Sequence, residues 1–442
     1  MAVLSLDKLR EAVRTGAAAR CRVVLQPAGG EGTKVFPPTY AGAVYATEKR
    51  RVPGQKDPVD CVLLVSVQSQ ANRLEEALQQ AIDSERFKTA GIRVPLVEVD
   101  FTSFYPGDDK AEPLRLLEPV GKVTSLQAPH RIVDAILRDS VVVEEGKPFR
   151  AKAEKDESTY GQRLRRVTAQ NATALFELCP TALLFGMWDS TGPKGGLGAK
   201  FERAMVSEII GINAVAGVRS SSRIDPLAIQ LEAGPVYVAS DNDLATWTLD
   251  SARAKSEDSE PLKVGKKRDG KPSEINHGNI KPDLKDKNGQ PFHGGVTIAS
   301  AEQTVVLSFP ALRRLRFPIE KRKGSATEED VNIAARTVLA ALGLCAAALA
   351  GEAGLDLRSR CLLWPGDPLE WELLGKPGTT EKGLTIACDD AMKVLKAAID
   401  EANKVGLTWR EQPLQLVPSD ELVRLVVRSQ QLAQSQGGEG GE

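Results

Sequence analysis

The chain has 442 residues, 42% of them apolar, with 58 Lys and Arg against 59 Asp and Glu. That length calls for two or three domains or one with large insertions, and the charge balance excludes a globally basic nucleic-acid binder, so any such partner must be met by local patches. Six scattered cysteines (21, 61, 179, 345, 361 and 388) form no CxxC pair, which argues against a thiolate zinc site and for buried thiols in a reducing, cytoplasmic setting.

In chain order, MAVLSLDKLREAV reads as an amphipathic helix, because Asp7 and Glu11 interrupt the apolar run an export signal needs. Arg20 to Gln26 reads as a strand. Residues 27 to 58 form a Gly/Pro-rich connection with the basic run Lys49-Arg50-Arg51. Cys61 to Val67 is a second strand, leading into a helix that carries Leu74, Leu78, Ala81 and Ile82 on one stripe. VPLVEVDF predicts another strand, broken by Pro106-Gly107, and Pro129 to Ser140 predicts a short helix. The stretch CPTALLFGMWDSTGPKGGLGAKFERAMVSEIIG predicts a strand over Ala182 to Trp188, a glycine-rich loop, and a helix from near Phe201.

Downstream, PVYVAS and TVVLSF predict strands on either side of a polar segment, Asp250 to Phe292. That segment has too few large apolar residues to order itself; it is a linker or an arm that orders on a partner. A basic run, RRLRFPIEKRKG, precedes three helices: Thr327 to Ala350, Cys388 to Lys404 and Ser419 to Gln434. The first is alanine-rich and holds Asn332 and Arg336, which favours a buried helix over a membrane span. The last residues, QSQGGEGGE, read as a solvated tail.

Several stretches carry groups that bind phosphates. The loop GPKGGLGAK departs from the nucleotide pattern GxxxxGK[ST], with Lys200 displaced by one residue, and no GxGxxG occurs, so no nucleotide cofactor is expected. Its backbone N–H groups, Ser190, Thr191, Lys194, Gly195, Gly196 and Lys200, with a helix start behind them, suit an extended anionic chain; a tight turn that needs glycine explains it too. In SVQSQANRLE, Gln68, Ser69, Asn72 and Arg73 crowd a strand-to-helix junction, where they can cap the helix or meet phosphate and ribose 2′-OH groups. His130-Arg131 and the group Arg219, Ser222 and Arg223 are weaker candidates, equally explained as solvated faces. For catalysis the inventory is poor: three histidines, no HExxH or GxSxG, and only Asp189, Asp225 and Asp241 as carboxylates for a magnesium ion. No metal site is predicted.

Taken together, SVQSQANRLE, APHRIVDAILRDS, the glycine-rich stretch from Cys179 and SRIDPL resemble the backbone subunit of the subtype I-G (formerly I-U) CRISPR surveillance complex, a Cascade-type effector. That subunit belongs to the RAMP superfamily. The resemblance implies an α+β fold: a modified RRM, or ferredoxin-like, palm over residues 1–250, a projecting thumb over 251–293 with Lys266, Lys267 and Arg268, palm completion and helices over 294–430, and a tail over 431–442. It implies copies stacked along a CRISPR RNA that is presented to a target DNA strand, with other Cascade subunits and a recruited nuclease-helicase as partners and no membrane. Related type III subunits cut RNA with an aspartate after the first strand. Here PAGGEGTKVFPP offers Glu31 and no Asp. A binding scaffold is therefore expected, with a metal-dependent RNA endonuclease on the same fold and an unrelated phosphate-binding metabolic enzyme as alternatives.

Overall fold

Alternation and helical stripes organise the chain. The structure, a computed structural model, describes residues 2–42, 44–107, 109, 113–190, 199–219, 221–230, 232–284 and 293–437. Two compact units divide it, a larger one and a smaller one built on Val215–Thr297.

The larger unit opens with α1 (Leu6–Thr15), capped by Ser5, and then β1 (Ala18–Pro27). In β1 Cys21, Val23 and Leu25 are buried while Arg22 and Val24 face outward, the period-two pattern of a half-covered sheet. β2 (Thr47–Arg50) and β3 (Val59–Val65) form an antiparallel pair. β3 runs directly into α2 (Val67–Asp83), whose buried side includes Leu74, Leu78 and Ala81. β4 (Val97–Asp100), β5 (Lys122–Thr124) and β6 (Ser140–Val142) belong to a second, five-stranded sheet.

Next comes a short helix, α3 (Thr181–Phe185), followed by β7 (Met187–Trp188), β8 (Lys200–Phe201) and the long β9 (Met205–Ile212). After the smaller unit the chain returns as β10 (Ser300–Ser308), then α4 (Glu328–Glu352), β11 (Trp371–Leu374), β12 (Thr380–Thr385), α5 (Cys388–Val405), β13 (Leu414–Pro418) and α6 (Asp420–Gly437).

The main sheet runs β12–β11–β1–β10–β9–β3–β2, antiparallel throughout this series. Within it β11–β1–β10–β9 are neighbours, α2 lies in the chain between β1 and β9, and α4 lies between β10 and β11. The smaller unit is inserted between β9 and β10. In the second sheet β13 pairs parallel with β4. The fold is thus α+β, with helices packed on mixed sheets.

α4 is the one described helix long and apolar enough to cross a membrane, and most of it is buried in the core, from Val331 to Leu349. A capping box of Thr327 and Asp330 starts it.

Three predicted elements are corrected. The apolar run before the glycine-rich loop is mainly helix α3, not a strand over Ala182 to Trp188: TALLF is buried on every side, so it carries no period that separates helix from strand. Gly186, at φ 79°, ends that helix, and a Cβ there would meet the Phe201 carbonyl oxygen at 2.9 Å. No helix starts near Phe201. Lys200–Phe201 pairs antiparallel with Met187–Trp188, and the β-branched run that follows is the central strand β9. Finally, Pro129 to Ser140 is a 3-10 turn (Arg131–Val133) and a single helical turn (Ala135–Arg138), not one helix. Arg131 sits at φ 54°, and the Asp134 side chain accepts from the Ile136 N–H at 2.9 Å to restart the chain.

In the smaller unit the described residues form short antiparallel pairs: Val215–Val218 with His293–Thr297, Ser221–Arg223 with Ile280–Asp283, Tyr237–Val238 with Trp247–Thr248, and Ser256–Glu257 with Glu260–Pro261. It begins at Val215, well before the composition change near residue 251.

Candidate nucleic-acid interface

The first turns of α2 present a row of polar groups. Ser66 caps the helix, its Oγ accepting from the Ser69 N–H at 3.3 Å. Gln68, Ser69 and Asn72 are exposed at this positive end of the helix, where such groups can meet an anionic chain in a way that ignores base identity, although Ser69 Oγ also accepts from Ser66 Oγ at 3.2 Å. Arg73 is half-buried. It donates to the Leu357 carbonyl, and its charge is disfavoured by burial and by the neighbouring Arg358. Part of the row therefore caps and anchors the helix, as the simpler reading of that motif required.

One turn on, Glu75 is buried and bound by Arg131 through two hydrogen bonds, from Nε to Oε1 at 2.8 Å and from Nη2 to Oε2 at 2.7 Å. Burial pushes the Glu75 carboxyl above its usual range, and Arg131 opposes that. The same guanidinium donates Nη1 to the Gly186 carbonyl at 3.1 Å and lies 5.7 Å from the centre of the Phe185 ring. Arg131 is therefore a correction to the RNA-binding set: it is an internal cation that ties α2 to the start of the β7–β8 hairpin. His130 remains exposed, with its backbone N–H donating to Asp134 Oδ2 at 3.0 Å.

The glycine-rich loop departs from that hairpin. Thr191, Lys194, Gly195 and Gly196 lie outside the described residues. Ser190 and Lys200, on either side, are exposed. With no helix behind the loop, helix-dipole assistance there is withdrawn. The stem supplies something the sequence reading missed: Trp188 is 57% exposed, with Lys200 Nζ 6.0 Å from its ring centre. An exposed Trp beside a Lys is a platform on which an unpaired base can stack whatever its identity. The available signal was the MWDS tetrapeptide at the loop entrance, read only as the end of an apolar strand.

Asp189, the strand-end carboxylate considered for magnesium, is bound by Arg150 Nη2 at 3.2 Å. Arg150 also binds the fully buried Glu157 at 2.9 Å, which Arg165 approaches from the other side. This network anchors the hairpin base. Among the described residues no group of three or more His, Cys, Asp or Glu side chains is placed to hold a metal.

Outward from α2 and α4, the open face of the main sheet is laced with ion pairs: Arg20–Glu372 at 2.6 Å, Arg22–Glu302 at 2.7 Å and Arg50–Glu208 at 2.7 Å. Its cations are matched by carboxylates, so it offers little net attraction to phosphates.

In the smaller unit Arg219 and Ser222 are exposed. Arg223 donates Nε and Nη2 to the Gly278 carbonyl at 3.0 and 2.8 Å, while Asp225 accepts the Gly278 N–H at 2.5 Å and the Leu227 N–H at 2.9 Å. Those backbone bonds hold the Asp225 carboxyl below its ordinary range. Arg223 and Asp225 thus clamp the strand pair rather than bind each other, and Asp241 pairs with Lys255 at 3.1 Å. Lys266 and Lys267 are exposed on a turn; Arg268 pairs with Glu257 at 2.7 Å.

Residues 19–216 match the model of a family described as CRISPR-associated protein GSU0053. The matched span ends where the smaller unit begins. No match is found among curated proteins. The family match supports a CRISPR-associated role.

Proposed function

We propose that this chain is a non-catalytic CRISPR RNA-binding backbone subunit of a type I-G Cascade complex, copies of which line up along the guide and present it to a target DNA strand. The observation that carries the reading is the order β11–β1–β10–β9, with α2 in the connection from β1 to β9, α4 in the connection from β10 to β11, and a separate unit inserted between the paired strands β9 and β10. That order is the one a ferredoxin-like palm requires, and the insertion point suits a projecting thumb. The family match over the first part of the palm supports the same reading.

In this mechanism base pairing supplies sequence choice, and the protein grips shape and charge. Gln68, Ser69 and Asn72 donate and accept at the backbone, Lys200 supplies charge, and Trp188 stacks a base. The smaller unit is the proposed thumb. Six buried free cysteines favour a cytoplasmic setting. The test is co-expression with a CRISPR array and the partner subunits. The purified chain is expected to carry array-derived RNA and an absorbance ratio raised toward 260 nm; a protein-like ratio contradicts the proposal.

A further inference from the structure

A cleft of about 270 Å³ opens between α2, the end of α4 and the helix-covered face of the main sheet. It exists because the wall from α4 is made of small residues, including Ala347, Ala348 and Gly351, which leave space that larger side chains would fill. Leu74 and Trp371 give it apolar sides.

Polar side chains interrupt this apolar setting: the carboxamides of Gln70, Gln80 and Gln303, with Glu76 and Asp356 also on the lining. Gln70 is 3% exposed, and its Nε2 has no hydrogen-bond partner. Gln303 lies on β10 between the buried Ala301 and Val305, so it projects to the covered face, where a core strand ordinarily carries an apolar residue. Gln303 is half-buried, and its Nε2 reaches Ser207 Oγ at a long 3.4 Å. Arg73 borders the same cleft. A buried amide left unpaired opposes folding, and native chains retain such groups mainly where something else completes them.

We infer that this cleft binds a nucleotide, with the flat base between the apolar walls, its edge on Gln70 and Gln303, and its phosphate toward Arg73. A mixed donor–acceptor edge on a flat apolar body is what paired carboxamides recognise, and a half-buried guanidinium suits an anion. The source is either a free nucleotide or a nucleotide unit of a bound strand. The inference does not depend on the guide-binding proposal.

The test is calorimetric titration of the full chain with AMP, GMP, CMP and UMP, with ribose 5-phosphate as the base-free control. At least one nucleotide is expected to saturate a single site, with ribose 5-phosphate and both Gln70→Leu and Gln303→Leu weaker by about tenfold or more. Unliganded Gln70→Leu should melt no lower than the parent, since an unpaired donor has been removed. Should Gln70→Leu not fold, Gln303→Leu carries the test. For the strand source, an RNA oligonucleotide containing 2-aminopurine should change fluorescence on binding, and Gln303→Leu should abolish that change while retaining RNA affinity. The inference is overturned if neither arm gives a signal, if ribose 5-phosphate binds as tightly as the nucleotides, or if both substitutions leave binding unchanged. Guide capture in cells, measured on the same variants, reports separately on the guide-binding proposal.

Discussion

The two units are ordered by different physics. The larger unit buries a continuous apolar core, with Phe149, Phe176, Phe185, Phe309 and Phe317 fully enclosed. The smaller unit buries few apolar residues, such as Val236, Val264 and Val296, and leaves Ile224 88% exposed with Leu227 and Leu244 alongside in the same condition. Its strands are held by polar clamps instead: Arg223 and Asp225 on Gly278, Arg253 on Asp243, and Arg268 on Glu257. A region built this way opens locally at low cost, while the larger unit should lose structure as a whole.

The largest effects should fall on the buried pair in the larger unit. Glu75→Ala or Arg131→Ala leaves a charge uncompensated and is expected to cost about 3–5 kcal/mol of unfolding free energy, read by urea titration. Replacing both with apolar residues should cost far less. Leu339→Ala, in the fully buried part of α4, is expected to cost about 2–5 kcal/mol by the same measurement, again lost in one cooperative transition.

A mid-sized effect separates binding from stability. Trp188→Ala should weaken RNA binding by about 1–3 kcal/mol with the melting temperature unchanged, and Lys200→Ala should lower the slope of log affinity against log salt by about one. An Ala variant that unfolds the protein would make the hairpin stem part of the core.

These elements differ in how far they could be read beforehand. β1, β3, α2, α4 and α5 follow from alternation or a 3.6-residue stripe, and they lie within a residue or two of expectation. α3 did not follow, since burial on all sides erases the period; β9 did not follow because its alternation, with Val206 and Glu208 outward, is lost over the buried run Ile209 to Gly211, and only the β-branched content of MVSEIIGI favoured a strand. Arg131 looked like a surface cation because sequence cannot reveal that Glu75, far along the chain, meets it. Trp188 was hidden for the converse reason: a large apolar residue ending an apolar run gives no sign that it faces solvent.

Alkaline pH gives a further contrast, since burial pushes the Cys21, Cys345 and Cys388 thiols up to about 12, all in the larger unit. Their thiolates are disfavoured in the fold but form in the unfolded chain at about pH 8.5. The stability they protect is therefore complete below that pH and is lost as pH rises from there toward the folded values. Urea midpoints should fall between neutral pH and about pH 10, and a thiol reagent should leave all three unmodified in the native protein. The smallest global effect belongs to the other unit: Arg223→Ala should change overall stability by less than about 0.5 kcal/mol while speeding amide exchange around Gly278.

The central claim is that the guide runs over the start of α2 and the β7–β8 hairpin stem. Ultraviolet cross-linking of the RNA-loaded particle, followed by mass spectrometry of the adducts, tests it most directly. The account predicts adducts on Trp188 and on peptides spanning residues 66–73. Adducts confined to the ion-paired open face of the main sheet, with both of those segments unmodified, would contradict it.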